Sequence, residues 1–472
     1  MEFLKSAPGR HYQPSNAKML SVRLPGWGDL IVLVLLSTLL LAACGDATTA
    51  PATPAAIAAS TTTTTGSGAT TTVASGTTAG ATATTVAAFS GTFDGNIKFG
   101  APLSLTGSLN NESKQTQYGY DLWMEATNAK GGIVVGGKHY KVDIKYYDDA
   151  SKQDLSATLA TKLISEDKVN FLLGPYGTAS TNSMATIAEQ NEIPMVEGNG
   201  AAESIFTQGR KYTFGVLSPG FKYLQGVIDM ALAQTPKPQK VAILAANDSF
   251  SKEVGTGVKN YATSKGMNVV LYEEYPNAET NLTAQVTKAK AMNPDLLLNS
   301  GHYAEATAII KASKELGLNP MAYGFSVGPS LPDWGSTLKN DGNFVLGGSQ
   351  WTSAVTYKGD DVFGTSKNFF DMFVKKYNVE PAYQAADGAA CGIAYQKAIE
   401  KAGSLDPKKV REALAGLDVM TFYGQIKFDD RGLNIYKPMV VEQWQDGKKA
   451  TVWPSDIASA KPQWPTPAWD KR

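Results

Sequence analysis

Two short segments hold the groups best suited to seize a small polar molecule. Gly174-Pro175-Tyr176-Gly177-Thr178 stands between the apolar triplet Phe171–Leu173 and a helix-patterned stretch, and Glu197-Gly198-Asn199-Gly200-Ala201 follows the apolar run Pro194–Val196. Glycine lets a backbone approach a ligand closely, and the first N–H groups of a helix, which have no partner within it, receive an anion. The same residues also suit a plain helix cap, and Asn199 suits a left-handed turn, so binding and turn-forming readings coexist here. What the two loops offer is capture without covalent change. The full phosphate-loop pattern Gly-x-x-x-x-Gly-Lys-Ser/Thr is absent, and beyond the N-terminal segments only His139 and His302 are available as imidazole bases. Two cysteines and three histidines are too few for a Cys/His zinc site, and Tyr147-Asp148-Asp149 with Asp154 lacks the glycine and distal glutamate of a calcium loop. Neither catalysis nor a metal or organic cofactor is expected.

Positioning two such loops takes more than one core. A chain of 472 residues is long enough for two, and its 43 basic residues balance its 43 acidic ones, so no net field draws it to nucleic acid. The N-terminal region has another task. Leu30–Ala43 is an uncharged apolar run preceded by Lys5, Arg10, Lys18 and Arg23, too short to span a bilayer comfortably, and it ends Leu41-Ala42-Ala43-Cys44-Gly45. This resembles the bacterial lipobox: residues 1–43 read as a lipoprotein signal peptide and Cys44 as the lipidated first residue of the mature chain. From Ala47 to Thr92 no residue is charged, and Thr, Ala, Ser and Gly dominate. Such a tract cannot bury a core, so residues 44–92 read as a flexible tether, with a root-mean-square span of about 35 Å as a random coil.

Beyond it, apolar runs alternate with helical periodicity. Strands are expected at Ile97–Leu105, Tyr140–Tyr147, Phe171–Leu173 and Pro194–Val196, with helices at Tyr118–Ala129, Leu155–Ser165 and Asn182–Asn191 between them. A second series places strands at Val241–Ala245, Val269–Glu274, Leu296–Asn299 and Phe344–Leu346 among helices Leu224–Ala233, Lys252–Lys265, Leu282–Met292 and Ala304–Leu316. Helices Lys367–Tyr377, Ala382–Lys401 and Lys408–Leu414 follow, then strands Gln425–Phe428, Val440–Gln445 and Ala450–Trp453, with Asp446-Gly447 as a hairpin turn. The expectation is an α/β protein with two lobes of parallel sheet, each discontinuous: 93–218 with 352–428, and 219–351 with 429–472. Ser218-Pro219-Gly220 and Gly347-Gly348 are expected at the crossovers, and Cys391 as a packed thiol.

Gly100-Ala101-Pro102-Leu103-Ser104-Leu105-Thr106-Gly107, Tyr118–Glu125, Asn128–Ile133, Tyr147-Asp148-Asp149 and Gly174–Thr178 resemble, in order and spacing, the type 1 periplasmic binding proteins. The nearest group is the leucine/isoleucine/valine-binding proteins of ABC importers. The resemblance implies two Rossmann-like lobes, joined by three crossovers, that close on a ligand. It also implies a monomeric, lipid-anchored protein outside the cytoplasmic membrane that passes a small carboxylate-bearing ligand to a membrane permease. An alternative is a sensory receptor for a small amide or acid, signalling to a membrane kinase or chemoreceptor. By the resemblance, Ser108, Tyr176, Gly177 and Thr178 line the ligand's carboxylate side. Asn199 with the N–H groups of Gly200 and Ala201 would serve there too, since Ala201 stands where the family has threonine. Phe250 and Tyr303 belong to the second lobe's wall, and His302 beside them is a further candidate contact that also suits a packing or solvent-edge role in place of a titrating one. The family's acidic partner for the ligand ammonium falls at Ser326, which carries no charge, leaving Glu305 or Glu197 as substitutes or a ligand without an ammonium.

Overall fold

The computed structural model describes residues 89–472. The signal segment, Cys44 and nearly all of the tether lie outside the described residues. In chain order the elements are β1 Gly95–Leu103, α1 Asn110–Ala129, β2 Ile133–Val135, β3 Lys138–Asp148, α2 Gln153–Ser165, β4 Phe171–Leu173, α3 Thr178–Gln190, β5 Met195–Glu197 and β6 Thr213–Gly215. Next come α4 Gln225–Leu232, β7 Lys240–Ala246, α5 Ser249–Ser264, β8 Asn268–Tyr275, α6 Thr283–Ala291, β9 Leu296–Ser300, α7 Tyr303–Leu316, β10 Ala322–Phe325, α8 Asp333–Leu338 and β11 Leu346–Ser349. The chain ends with α9 Ser366–Tyr377, α10 Tyr383–Ala402, α11 Pro407–Ala415, β12 Asp418–Thr421, β13 Gly424–Lys427, β14 Val440–Gln445 and β15 Lys448–Trp453.

Two large sheets organise these elements, one in the order β2-β3-β1-β4-β5-β6 and the other β15-β14-β11-β10-β9-β7-β8. The core of each is parallel, while β2, β14 and β15 add antiparallel edges. Central strands such as Leu296-Leu297-Leu298 are buried on both faces, as a parallel sheet covered by helices on either side requires. Leaving the antiparallel edges aside, the first sheet runs β3-β1-β4-β5-β6 and the second β8-β7-β9-β10-β11. In both, the first strand of the series lies second in the sheet, so winding reverses beside it, between β1 and β4 and between β7 and β9. Ligand crevices form at the carboxyl ends of strands at such switch points.

Three chain passages join the halves, and side chains tie them together. The Ser218 N–H donates to Gln350 Oε1 (2.9 Å), Gln350 Nε2 donates to the Ser218 carbonyl (3.0 Å), and the Ser218 hydroxyl donates to the Lys437 carbonyl (2.6 Å). Lys437 is itself buried, donates to the Gln350 carbonyl and stands 4.0 Å over the Tyr423 ring. Burial lowers its ammonium to a pKa of about 8, although Asp387 opposes the shift.

Several expectations are corrected. Gly347-Gly348 lies inside β11 rather than at a crossover, because a side chain at Gly348 would run into the Tyr223 carbonyl. Helix α1 begins at Asn110, eight residues before the expected start, since Glu112, Ser113, Gln115 and Thr116 are buried polar residues that break the apolar pattern. The folded body reaches back to Phe89, ahead of the expected end of the tether at residue 92. Phe89 donates its N–H to the Ala129 carbonyl (3.0 Å) and stacks on His139 (4.8 Å between centroids). Strands β2, β6, β10 and β12 are too short to carry a periodic signal. Asp446-Gly447 does form the β14–β15 turn, with φ of 51° and 76°. The C-terminal tail runs across the second half: Trp444, Trp464 and Trp469 donate indole N–H bonds to the carbonyls of Pro329, Pro236 and Leu318. Among the described residues, no helix is long and apolar enough to cross a membrane.

Candidate functional site

The carboxyl end of β4 and the start of α3 form one wall of the cleft. Gly177 caps α3 with φ of 90°, a conformation that favours glycine, and the first N–H groups of the helix open toward the second sheet's loops. The Tyr120 hydroxyl donates to the Gly174 carbonyl (2.8 Å) and fixes the loop from behind. Thr178 is 4% exposed; its hydroxyl accepts the Ala202 N–H (3.3 Å), which leaves its own hydrogen free to donate. A cavity of about 210 Å³ lies here, bounded by Tyr176, Gly177, Thr178 and Ser180 from the first half and Asp248 and His302 from the second.

His302 carries charge into this space. Burial alone would lower its pKa, but its contact with Asp248 Oδ2 (Nε2 to oxygen 3.6 Å), reinforced by the charges of Glu305 and Glu112, raises it to about 9. The imidazolium therefore persists at neutral pH, its Nδ1 3.4 Å from the Tyr176 hydroxyl across the cleft. Asp248 is fixed in turn: it caps α5, accepting the Ser251 N–H (3.0 Å) and hydroxyl (2.6 Å). Burial works against its ionisation, yet His302 and these bonds hold its carboxyl below the ordinary value. A helix N-terminus, a free hydroxyl proton and an imidazolium thus converge from two lobes on one anion-sized position.

Around it lie groups of a different character. Tyr223 packs edge-on to Phe250 (5.2 Å) and Tyr383 (6.1 Å), and Phe250 lies 5.6 Å from His302, giving an aromatic wall. Among the described residues, both side-chain polar atoms of Asn199 and Gln384, and Oε2 of Glu112, are buried without a hydrogen-bond partner. Buried polar atoms are rarely left so, and groups facing a cleft are suited to a ligand's polar atoms. Glu112 reaches across the cleft, its Oε1 accepting the Tyr303 N–H (2.9 Å); burial raises its pKa against the pull of His302 and that bond.

Of the expected residues, Tyr176, Gly177, Thr178 and His302 line the cavity, Phe250 packs beside His302 (5.6 Å), and the Asn199 carbonyl accepts the Gly177 N–H (3.1 Å). Ala201 is buried beside them, its carbonyl accepting the Gly220 N–H (2.7 Å), while Ser108 is exposed in the loop before α1. Other expected roles change. The N–H groups of Asn199 and Gly200 are taken by Glu197 Oε2 (2.9 and 2.6 Å), so of the two expected backbone donors the Gly200 N–H is spent, while the Asn199 side chain is free. Glu197 is folded back on its own loop, with its pKa raised by burial to about 8, and Glu305 accepts the Ala278 N–H (2.9 Å), so neither is a ready substitute for the missing acid. The Ser326 hydroxyl is bound to Gly301, and the Tyr303 hydroxyl contacts Thr337 (2.6 Å) and the Asp333 carbonyl (3.1 Å), away from the cleft. Glu112, Tyr223, Asp248, Tyr383 and Gln384 were not singled out from the sequence; Asp248 alone carried a signal, as an N-cap residue ahead of a helical run.

Comparison with known proteins agrees with this geometry. The family model described as periplasmic binding protein matches residues 96–449. A Leu/Ile/Val-binding protein homolog 8 from Brucella abortus is 25% identical over 388 residues, covering 78% of this chain and 92% of that protein. Among solved structures, the branched-chain amino acid transporter substrate binding protein LivJ from Streptococcus pneumoniae, in complex with isoleucine, superposes with a TM-score of 0.68. It shares 21% identity over 76% of this chain and 100% of that one. An ABC transporter solute binding protein from R. palustris, in complex with benzoate, gives a TM-score of 0.65 at 17% identity, covering 76% and 95%.

Proposed function

Because the chain belongs to the periplasmic binding protein family, we propose that it is the solute receptor of an ABC importer, closing on an amino acid with an apolar side chain and passing it to a membrane permease. The observation that carries this reading is the meeting of the α3 N-terminus and Thr178 with the His302 imidazolium across the cleft. That position receives the ligand carboxylate. The free Oε2 of Glu112, with the amides of Asn199 and Gln384, receives the ammonium, and Tyr223, Phe250 and Tyr383 cover the apolar side chain. Glu112 thereby supplies the acidic partner that Ser326 lacks. The lipobox-like motif at Cys44 and the uncharged tract after it support a receptor held on the outer face of the cytoplasmic membrane by a lipid anchor.

The mechanism is a population shift. The first lobe takes the carboxylate end, and His302 and Phe250 add their contacts only when the lobes are together, so the ligand favours the closed form by those extra contacts. A thermal-shift screen of the purified protein against leucine, isoleucine, valine and simple aromatic acids tests the reading. At a hundred times the dissociation constant the ligand should add about 2.7 kcal/mol of stability. Stabilisation by the amino acids and its loss in Glu112→Gln are expected. Stabilisation by aromatic acids alone would remove the ammonium role from Glu112, and no stabilisation by any of them would refute the assigned ligand class.

A further inference from the structure

A second cavity, of about 220 Å³, lies beside the second crossover and shares no lining residue with the cleft. Trp351 and Thr352 of the crossover bound it, with Phe370 and Glu380 from the first half and Glu442 and Lys449 from the second. Two of these residues are more than nine-tenths buried and carry a polar atom with no partner among the described residues. They are Glu442, 6% exposed, at Oε2, and Trp351, 2% exposed, at Nε1. A buried carboxylate oxygen without a donor is costly, and the charge of Lys449 with the nearby Ser349 hydroxyl offsets this only in part. The lysine ammonium is held instead on the Ser330 carbonyl (2.9 Å) in one half and the Pro381 carbonyl (3.2 Å) in the other.

Charge and shape together select an occupant. Two carboxylates, buried Glu442 and Glu380 on the exposed rim, face one ammonium, Lys449, so the cavity is one positive charge short of balance once Glu442 is ionised. The unmet acceptor is an anion and the unmet donor is an indole N–H. The rings of Trp351 and Phe370 between them suit a short carbon stem. We propose that this cavity is a second binding site, for a small organic ammonium bearing one oxygen acceptor: Glu442 and Glu380 take the ammonium, and the Trp351 Nε1–H donates to the oxygen. Its walls come from both lobes and the crossover between them, so an occupant favours the closed arrangement from outside the cleft.

Ethanolamine is the probe and ethylene glycol its uncharged counterpart, titrated into the full chain while the indole N–H resonance of Trp351, assigned with Trp351→Phe, is followed by NMR. Ethanolamine should shift that resonance saturably and ethylene glycol should not. Glu442→Gln should weaken binding by about tenfold or more, the size of a lost hydrogen bond to a charged group. Binding should also strengthen as pH rises through about 7, where burial places the Glu442 carboxyl despite Lys449, with Glu380 adding to the shift. If Glu442→Gln does not fold, Glu380→Gln on the exposed rim should weaken binding several-fold. No shift with ethanolamine, an equal shift with ethylene glycol, or binding unchanged in both glutamate variants would overturn the site.

Discussion

A buried histidine that keeps its proton above neutrality needs anions close by, and His302 has Asp248 in contact, with Glu305 and Glu112 adding their charge. Its titration, followed by NMR in the ligand-free protein, should show a pKa of about 9, and Asp248→Asn should lower it, because burial is then opposed only by the charges of Glu305 and Glu112. The sign of the stability effect follows. With its folded pKa raised above about 6.5, the histidine's contribution is fully present below that pH and lost as pH rises through about 9. Denaturation curves of the wild type and His302→Gln should converge over that window. At Thr178 the expectation concerns binding: Thr178→Val should weaken the amino-acid ligand about tenfold with little change in melting temperature, while Thr178→Ser retains most of it. Thr178 was legible because glycine and a hydroxyl before a helix form a recognisable loop. Glu112 was not, because nothing in Asn111-Glu112-Ser113 distinguishes a carboxylate turned into a cleft from one turned to solvent.

At the scale of elements, β11 passes so close to the chain at Tyr223 that only a residue without a side chain fits at Gly348. Gly348→Ala should destabilise the protein by about 1–3 kcal/mol, the usual cost of forcing an extra carbon into a packed site, read as a lower urea midpoint with an unchanged slope. The paired glycines had suggested a hinge, since close packing and unusual backbone angles select the same residue. Helices with one apolar face, such as α9 and α11, were readable to within a residue or two at each end, as were the buried strands β7 and β9. The first two turns of α1 were not, because the surface they bury is polar, with Gln115 accepting the Ala382 N–H and Glu112 the Tyr303 N–H. Where side chains are chosen for polar contacts and not for an apolar core, the helical pattern fades from the sequence.

For the molecule as a whole, closure rests on a few bonds between lobes. Besides the Glu112 bond to the Tyr303 N–H, both carboxylate oxygens of Glu253 on α5 accept the Glu203 N–H of the first half (3.0 and 2.9 Å). A Glu112→Ala, Glu253→Ala double variant should populate an open form, seen in solution scattering as a larger radius of gyration that the ligand reduces less than in the wild type. The division into two sheets was legible from the repeated alternation of strand and helix, whereas the bonds that hold the sheets together join residues far apart in sequence and leave no local trace. The packing of α10 on α1 has a further consequence, for synthesis. Helix α1 presents Tyr120 and Trp123, both fully buried in the finished protein, and Gly388 and Gly392 of α10 lie directly against these two rings. A nascent chain makes α1 early but cannot cover it until about 260 further residues have emerged, so the first lobe waits for the second to be translated before its own core can close. Such delayed completion keeps the polypeptide loose for most of its time on the ribosome, the condition that favours threading through a secretion channel.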